Sequence, residues 1–221
     1  MDYTKILTDF LSLQNAYQFT RRNLMTKERF LDIAKANPER GLDLDDVVLN
    51  EPLIEHVGHL PIVASYFHQF LEHKAEVDLG RVLTMLSIHD IGETVLGDIF
   101  TYTKTQADEE EEVATALTLL PNYLQKILLE FEARETSDAK YAKSVDALAG
   151  FLPTLDMPRI IIKRFNKRGA QVADVIDRKR HLMKWDSTML HIFDLSMIQV
   201  TQAENNEPLL FGNVDYDLQV E

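Results

Sequence analysis

The chain has 221 residues, no cysteine, 36 acidic against 23 basic side chains and a formal charge of −13. Lack of cysteine excludes disulfides, iron–sulfur clusters and thiolate nucleophiles, and the acidity disfavours nonspecific attraction to nucleic acid or anionic lipid. With 45% hydrophobic residues the chain can fill one core and is long for two, so a single domain over 1–221 is expected.

The N-terminus, MDYTKILTDFLS, has no basic region followed by a long apolar run, and the most apolar windows are broken by charge or proline. A cytoplasmic protein with no membrane partner is therefore expected. Ile6, Leu7, Phe10, Leu11, Leu13, Ala16, Tyr17 and Phe19 recur mostly at three- and four-residue steps, which predicts an amphipathic helix over residues 4–20. A shorter helix is predicted after Thr26, and the Pro-, Gly- and Asp-bearing stretch 37–50 reads as a loop able to wall a site. Pro52 suits the first turn of a helix that carries His56 and His59 one turn apart and runs to about His73. Pro61 lies within it and should bend it, because proline lacks the N–H that a helix interior requires.

Asp78 can cap the next helix, whose apolar positions are Leu79, Val82, Leu83, Leu86 and Ile88, and Gly92 weakens its end. A loop is expected over Thr94 to Thr105, followed by a helix whose acidic start, Asp108 to Glu112, suits an N-terminus and reads as a solvated face. Pro121 breaks the next apolar run, and helices are predicted at 122–134 and 138–152. Beyond Pro158 the basic residues Lys163, Arg164, Lys167, Arg168, Arg178, Lys179 and Arg180 cluster. A helix is expected from about Asp186 to Val200, with an apolar load that suggests a homodimer interface unless the irregular tail through Leu209, Leu210 and Phe211 covers it. No repeat, strand pattern or glycine-rich phosphate loop is present, so the fold expected is all-α.

The dipeptide His89-Asp90 carries two ionisable groups in the apolar run MLSIHDIGETVLGDIF. Buried charges need partners or a metal. His56 upstream and Asp146, at the edge of the Ala142, Val145, Ala149, Leu152 stripe, complete a set of two imidazoles and two carboxylates. Such a mixed nitrogen and oxygen set suits a first-row divalent ion better than calcium or a thiolate-bound zinc. Glu93, three residues after Asp90 and four after His89, projects over the same face one turn on and is placed as an acid/base residue. A salt-bridged helix end is the competing reading of the same residues. His59 is open between a partner of the ligands, a substrate-touching residue and a core histidine.

The order of a histidine, then His-Asp, then a distant aspartate resembles the HD-domain metal-dependent phosphohydrolases, over roughly residues 50–152. Glu55-His56, His89-Asp90 and Asp146 match the family's motifs, and HDIGETVLGDI is similar to the compact 5'-deoxynucleotidase-like branch, with Glu93 and Gly97-Asp98 at its glutamate and Gly-Asp positions. Lys104 matches a lysine that follows, and Arg40 is the nearest match to an upstream arginine, with Arg29-Phe30 a weaker one. The chain departs from the family at Val57, where serine is usual, at Pro61, and in lacking an upstream tryptophan, since its one tryptophan is Trp185.

The resemblance implies an all-helical orthogonal bundle with an HD-type core at about 50–152 and helices packed on either side. It further implies one divalent metal on His56, His89, Asp90 and Asp146, chosen from manganese, cobalt, iron, zinc or nickel ahead of magnesium. Glu93 and Asp98 would act in catalysis, and Arg40, His59 and Lys104 would hold a small phosphate-bearing substrate, a nucleoside monophosphate first. The expected function is phosphate-ester hydrolysis. A non-catalytic helical binding or scaffold protein that keeps a metal site is the alternative.

Overall fold

The computed structural model describes residues 1–19, 53–99, 103–155, 158–167 and 169–211. Among them there is no strand. Helix α1 spans Tyr3–Phe19, α2 Leu53–His68, α3 Leu79–Ile88, the single turn α4 Glu93–Leu96, α5 Gln106–Leu119, α6 Asn122–Ala133 and α7 Ser137–Ala149. A C-terminal layer follows, with α8 at Pro158–Lys167, α9 at Val172–Lys179 and α10 at Ser187–Glu204. The protein is an all-α orthogonal bundle. No described helix is long and apolar enough to cross a membrane.

The centre of the bundle is the three-way packing of α2, α3 and α7, with α6 laid against α3 and α7. Leu60, Val63, Ala64 and Phe67 of α2 meet Val82, Met85 and Leu86 of α3 and Ala142, Val145 and Leu148 of α7 in one buried cluster. Burial of such side chains contributes roughly 1.5–3 kcal/mol each and is the main force fixing the helices' relative positions. The hydroxyl of Tyr141 donates to the Ala64 carbonyl at 2.6 Å and ties α7 to α2.

The caps follow the sequence. Asp78 accepts from the Arg81 N–H at 3.2 Å to open α3. Thr105 and Asp108 form a reciprocal capping box at the start of α5, which satisfies two of the N–H groups left open by a helix terminus. Thr136 accepts from the Ala139 N–H to start α7.

Several features differ from expectation, among them α7, which ends at Ala149 rather than 152, with Leu152 in a following turn. Helix α2 ends at His68 rather than near His73, because the backbone beyond it bonds to the start of α10 instead. The Thr188 hydroxyl donates to the Phe70 carbonyl at 2.6 Å, and the His73 N–H donates to Asp186 at 3.1 Å. Pro61 does not interrupt α2, which runs through it. The loop expected from Thr94 begins with the turn α4, closed by Gly97, whose φ of 80° favours glycine and whose N–H donates to the Glu93 carbonyl at 2.8 Å.

In the C-terminal layer, Met189, Ile192, Phe193, Met197, Val200 and Ala203 of α10 are buried within the chain. Gln199 is also buried: its carbonyl oxygen accepts from the N–H groups of Leu210 and Phe211, and its amide donates to the Phe211 and Leu155 carbonyls. The segment after α10 thus folds back and seats Phe211 in the core. Most of the apolar load of α10 is absorbed inside one subunit, with Ile198 left 45% exposed, which weakens that ground for a dimer. The helix expected after Thr26, the loop at 37–50 and the end of the tail lie outside the described residues.

Candidate metal centre

His56 comes from the first turn and a half of α2, His89 and Asp90 from the turn that ends α3, and Asp146 from the penultimate turn of α7. The three-way packing of these helices therefore brings together residues up to 90 positions apart in sequence. Nε2 of His56 is 3.6 Å from Oδ2 of Asp90 and 3.6 Å from Oδ1 of Asp146. Nε2 of His89 is 3.0 Å from Oδ2 of Asp90 and 3.4 Å from Oδ1 of Asp146. His56, His89 and Asp146 offer one ligand atom each within 4.8 Å of one another.

The donor set fits a divalent ion on an observation independent of spacing. Nε2 of His89 is buried and, although two carboxylate oxygens are close, makes no hydrogen bond. The opposite ring nitrogen, Nδ1, lies 3.1 Å from the Leu86 carbonyl. That contact turns Nδ1–H to the carbonyl and Nε2 into the cluster, the orientation that metal-binding histidines use, so that Nε2 becomes a ligand once it gives up its proton. Two imidazole nitrogens and two carboxylate oxygens that face one another are the donors a divalent ion takes.

The electrostatics agree. Burial works against the imidazolium of His89, but the Asp90 and Asp146 carboxylates outweigh it and push its pKa up to about 10. His56 is raised as well: burial lowers it, and the hydrogen bond and charge of Asp146 more than compensate. Asp146 is held well below the usual carboxylate range, because Lys143, His89 and His56 overcome the cost of its burial. The carboxylates thus draw protons toward both imidazoles, and a single divalent ion would neutralise the same carboxylates.

The remaining expected residues fall in distinct places. Glu93 is partly buried at the start of α4 and clusters with Asp90 and Glu112. Its pKa is pushed up to about 8 by burial and by the charges of Asp90, Asp98 and Glu112, against which Lys104 pulls. Lys104 pairs with Glu112, both side chains being 15% exposed. Asp98 is exposed beyond Gly97. The His59 ring lies on the side of α1, its centroid 6.5 Å from that of Phe10, and burial followed by the His56 charge lowers its pKa to about 4. Arg40 and Arg29 are outside the described residues, as are the side chains of Lys163, Arg164 and Lys167.

Two residues beside the centre were not singled out by the sequence. Glu112 had been read as part of a solvated acidic face, and no local signal distinguishes it from Glu109 to Glu111. Lys143 donates to Asp146 at 2.9 Å, and the i, i+3 spacing on a helix was the available signal.

The matched family model is that of the HD domain, over residues 35–184. The chain belongs to the HD domain family, and it carries the His/Asp cluster of a metal-dependent hydrolase of that type. A crystal structure of a protein described as a predicted metal-dependent phosphohydrolase, from Magnetospirillum magnetotacticum MS-1, superposes with a TM-score of 0.59 at 22% identity. The match covers 92% of this chain and 98% of that one, and it shows a shared fold. No curated protein matches the chain.

Proposed function

We propose that this protein hydrolyses a small phosphate ester in the cytoplasm, with a nucleoside monophosphate as the first candidate, and that His56, His89, Asp90 and Asp146 hold the single divalent ion it requires. The observation that carries the reading is the convergence of Nε2 of His56 and the buried Nε2 of His89 on the same two carboxylate oxygens, at 3.6 and 3.6 Å and at 3.0 and 3.4 Å. A bound divalent ion supplies Lewis acidity toward the phosphoryl group and lowers the pKa of water. Manganese or cobalt is preferred to magnesium because two imidazoles favour the softer ions.

The chain's own groups do the rest. Glu93, with a proton affinity near the working pH, can take a proton from the attacking water and return it to the leaving group. Burial and the charges of Asp90, Asp98 and Glu112 keep that affinity high. Lys104 supplies positive charge next to Glu93, and Glu112 holds it there until a phosphate competes for it. Arg40, from its place sixteen residues before His56, is assigned to the outer phosphate oxygens, where a guanidinium fork suits the geometry. His59, neutral at pH 7 and packed toward Phe10 of α1, would reach a substrate only from that side of α2. The division into a core at about 50–152 with flanking helices belongs to the same reading, and a homodimer, if formed, must use surfaces other than the buried face of α10.

Nucleoside monophosphates, nucleoside triphosphates and cyclic dinucleotides assayed with manganese, cobalt, magnesium and zinc test the proposal. Turnover of a monophosphate is expected, faster with manganese or cobalt than with magnesium. No turnover of any member by protein with confirmed metal would defeat the hydrolase reading and favour the binding protein, and magnesium-only activity would contradict the ligand argument.

A further inference from the structure

The two oxygens of Asp146 have different partners. Oδ1 faces both imidazoles, at 3.6 Å from His56 and 3.4 Å from His89, whereas Oδ2 accepts from Nζ of Lys143 at 2.9 Å. Lys143 is itself fixed. Its ammonium lies 4.9 Å from the centroid of the Phe131 ring, and that ring is 5.2 Å from the His89 ring. The lysine stem is partly buried, with its side chain 23% exposed, so the charge is shielded from competing water and its hold on Oδ2 is stronger than that of a surface pair. One aromatic side chain thus backs a proposed ligand and seats the cation that restrains another.

We propose that Lys143 is a positioning residue that limits Asp146 to ligation through Oδ1 alone and thereby biases the centre against calcium. Calcium takes six to eight oxygens and commonly uses carboxylates through both oxygens at once, whereas first-row ions accept fewer ligands in tighter geometry. An Asp146 whose Oδ2 is turned to Lys143 chelates an ion only by weakening that bond or sharing the oxygen. This inference rests on the proposed metal centre, and it assigns to Lys143 a task that the activity itself does not reveal.

The test is metal titration of the full-length protein, after removal of bound metal, with manganese and with calcium, on wild type, Lys143→Arg and Lys143→Met. Methionine keeps a flexible stem over Phe131 and loses the donor. Wild type and Lys143→Arg are expected to prefer manganese, and Lys143→Met should shift the calcium-to-manganese affinity ratio toward calcium by about tenfold or more, the scale on which partners of metal ligands act. The cobalt-loaded Lys143→Met protein should also show weaker visible absorption, as a chelating carboxylate raises the coordination number. An unchanged ratio and spectrum in folded Lys143→Met would overturn the proposal.

Carboxylate infrared difference spectra of manganese-loaded wild type, compared with its metal-free form, give a readout that needs no variant. Single-oxygen ligation is expected, and a bidentate signature that disappears in Asp146→Asn but persists in Asp90→Asn would overturn the inference. Failure of wild type to bind any metal would instead sink the centre itself.

Discussion

Glu93→Gln is expected to lower kcat by about 10²- to 10⁴-fold, the range that a positioned acid/base group contributes, while leaving metal content unchanged. Glutamine is nearly isosteric, and Glu93 is not in the His56, His89, Asp90 and Asp146 set, so ion binding should survive. The same substitution should stabilise the metal-free protein at alkaline pH. The folded-state pKa of Glu93, about 8, lies above the value of an unfolded glutamate. Its contribution to stability is thus complete below the unfolded pKa near 4.5 and is lost as pH rises through 8, because the burial and the negative neighbours that raise it oppose the carboxylate. Melting temperatures of wild type and Glu93→Gln should coincide near pH 4.5 and separate by pH 9, with the variant higher. Equal melting temperatures at pH 9, or full activity, would remove Glu93 from its assigned role.

Gly92→Ala should cost about 1–3 kcal/mol of stability, as overpacking does, or a drop in melting temperature of roughly 2–10 °C for a chain of this length. Gly92 has φ −61° and ψ −36°, which any residue adopts, so the demand for glycine is steric. An added Cβ would meet the Glu112 carbonyl oxygen at 2.5 Å and its Cγ at 2.9 Å. The first of these atoms is backbone and cannot rotate away. Helix α5 would have to retreat, taking with it Glu112 and its partner Lys104, so activity should fall together with stability. Gly58 is the internal control. It is exposed on α2, with nothing within 4 Å of an added Cβ, and Gly58→Ala should be neutral or stabilising by up to about 1 kcal/mol. Thermal melts of the two variants side by side check the contrast, and indistinguishable melts would refute it.

These two glycines show where sequence reading reaches its limit. Gly92 looks from the sequence like a weak helix end, but it is the point at which α5 crosses the turn after α3, a contact between positions 20 apart that carries no local signature. The end of α2 at His68 is similar, since the bonds that divert the chain come from Asp186 and Thr188, more than a hundred residues on. Caps and apolar periodicity, by contrast, act within four residues. For that reason Asp78 and the stripe on α7 were legible, as was the placing of Asp146 at the edge of a packed face. The grouping of His56, His89, Asp90 and Asp146 was legible for a different reason: ionisable groups in apolar helices must find partners, and the packing brings these four together. Glu112 was not legible, because glutamates on helices are mostly solvated and only the folded packing shows which ones are drawn inward, and Lys143 offered only its i, i+3 spacing to Asp146.

The most direct measurement is a calorimetric titration of metal-free protein with manganese at pH 7, run in two buffers of different ionisation enthalpy and repeated on His89→Ala. With His89 raised to about 10, the metal-free imidazole carries a proton at pH 7 that ligation must expel, so affinity should rise with pH. The account predicts one ion per chain with release of at least about one proton, and loss of that binding in His89→Ala. Binding without proton release, or an equally tight stoichiometric site in His89→Ala, would contradict it.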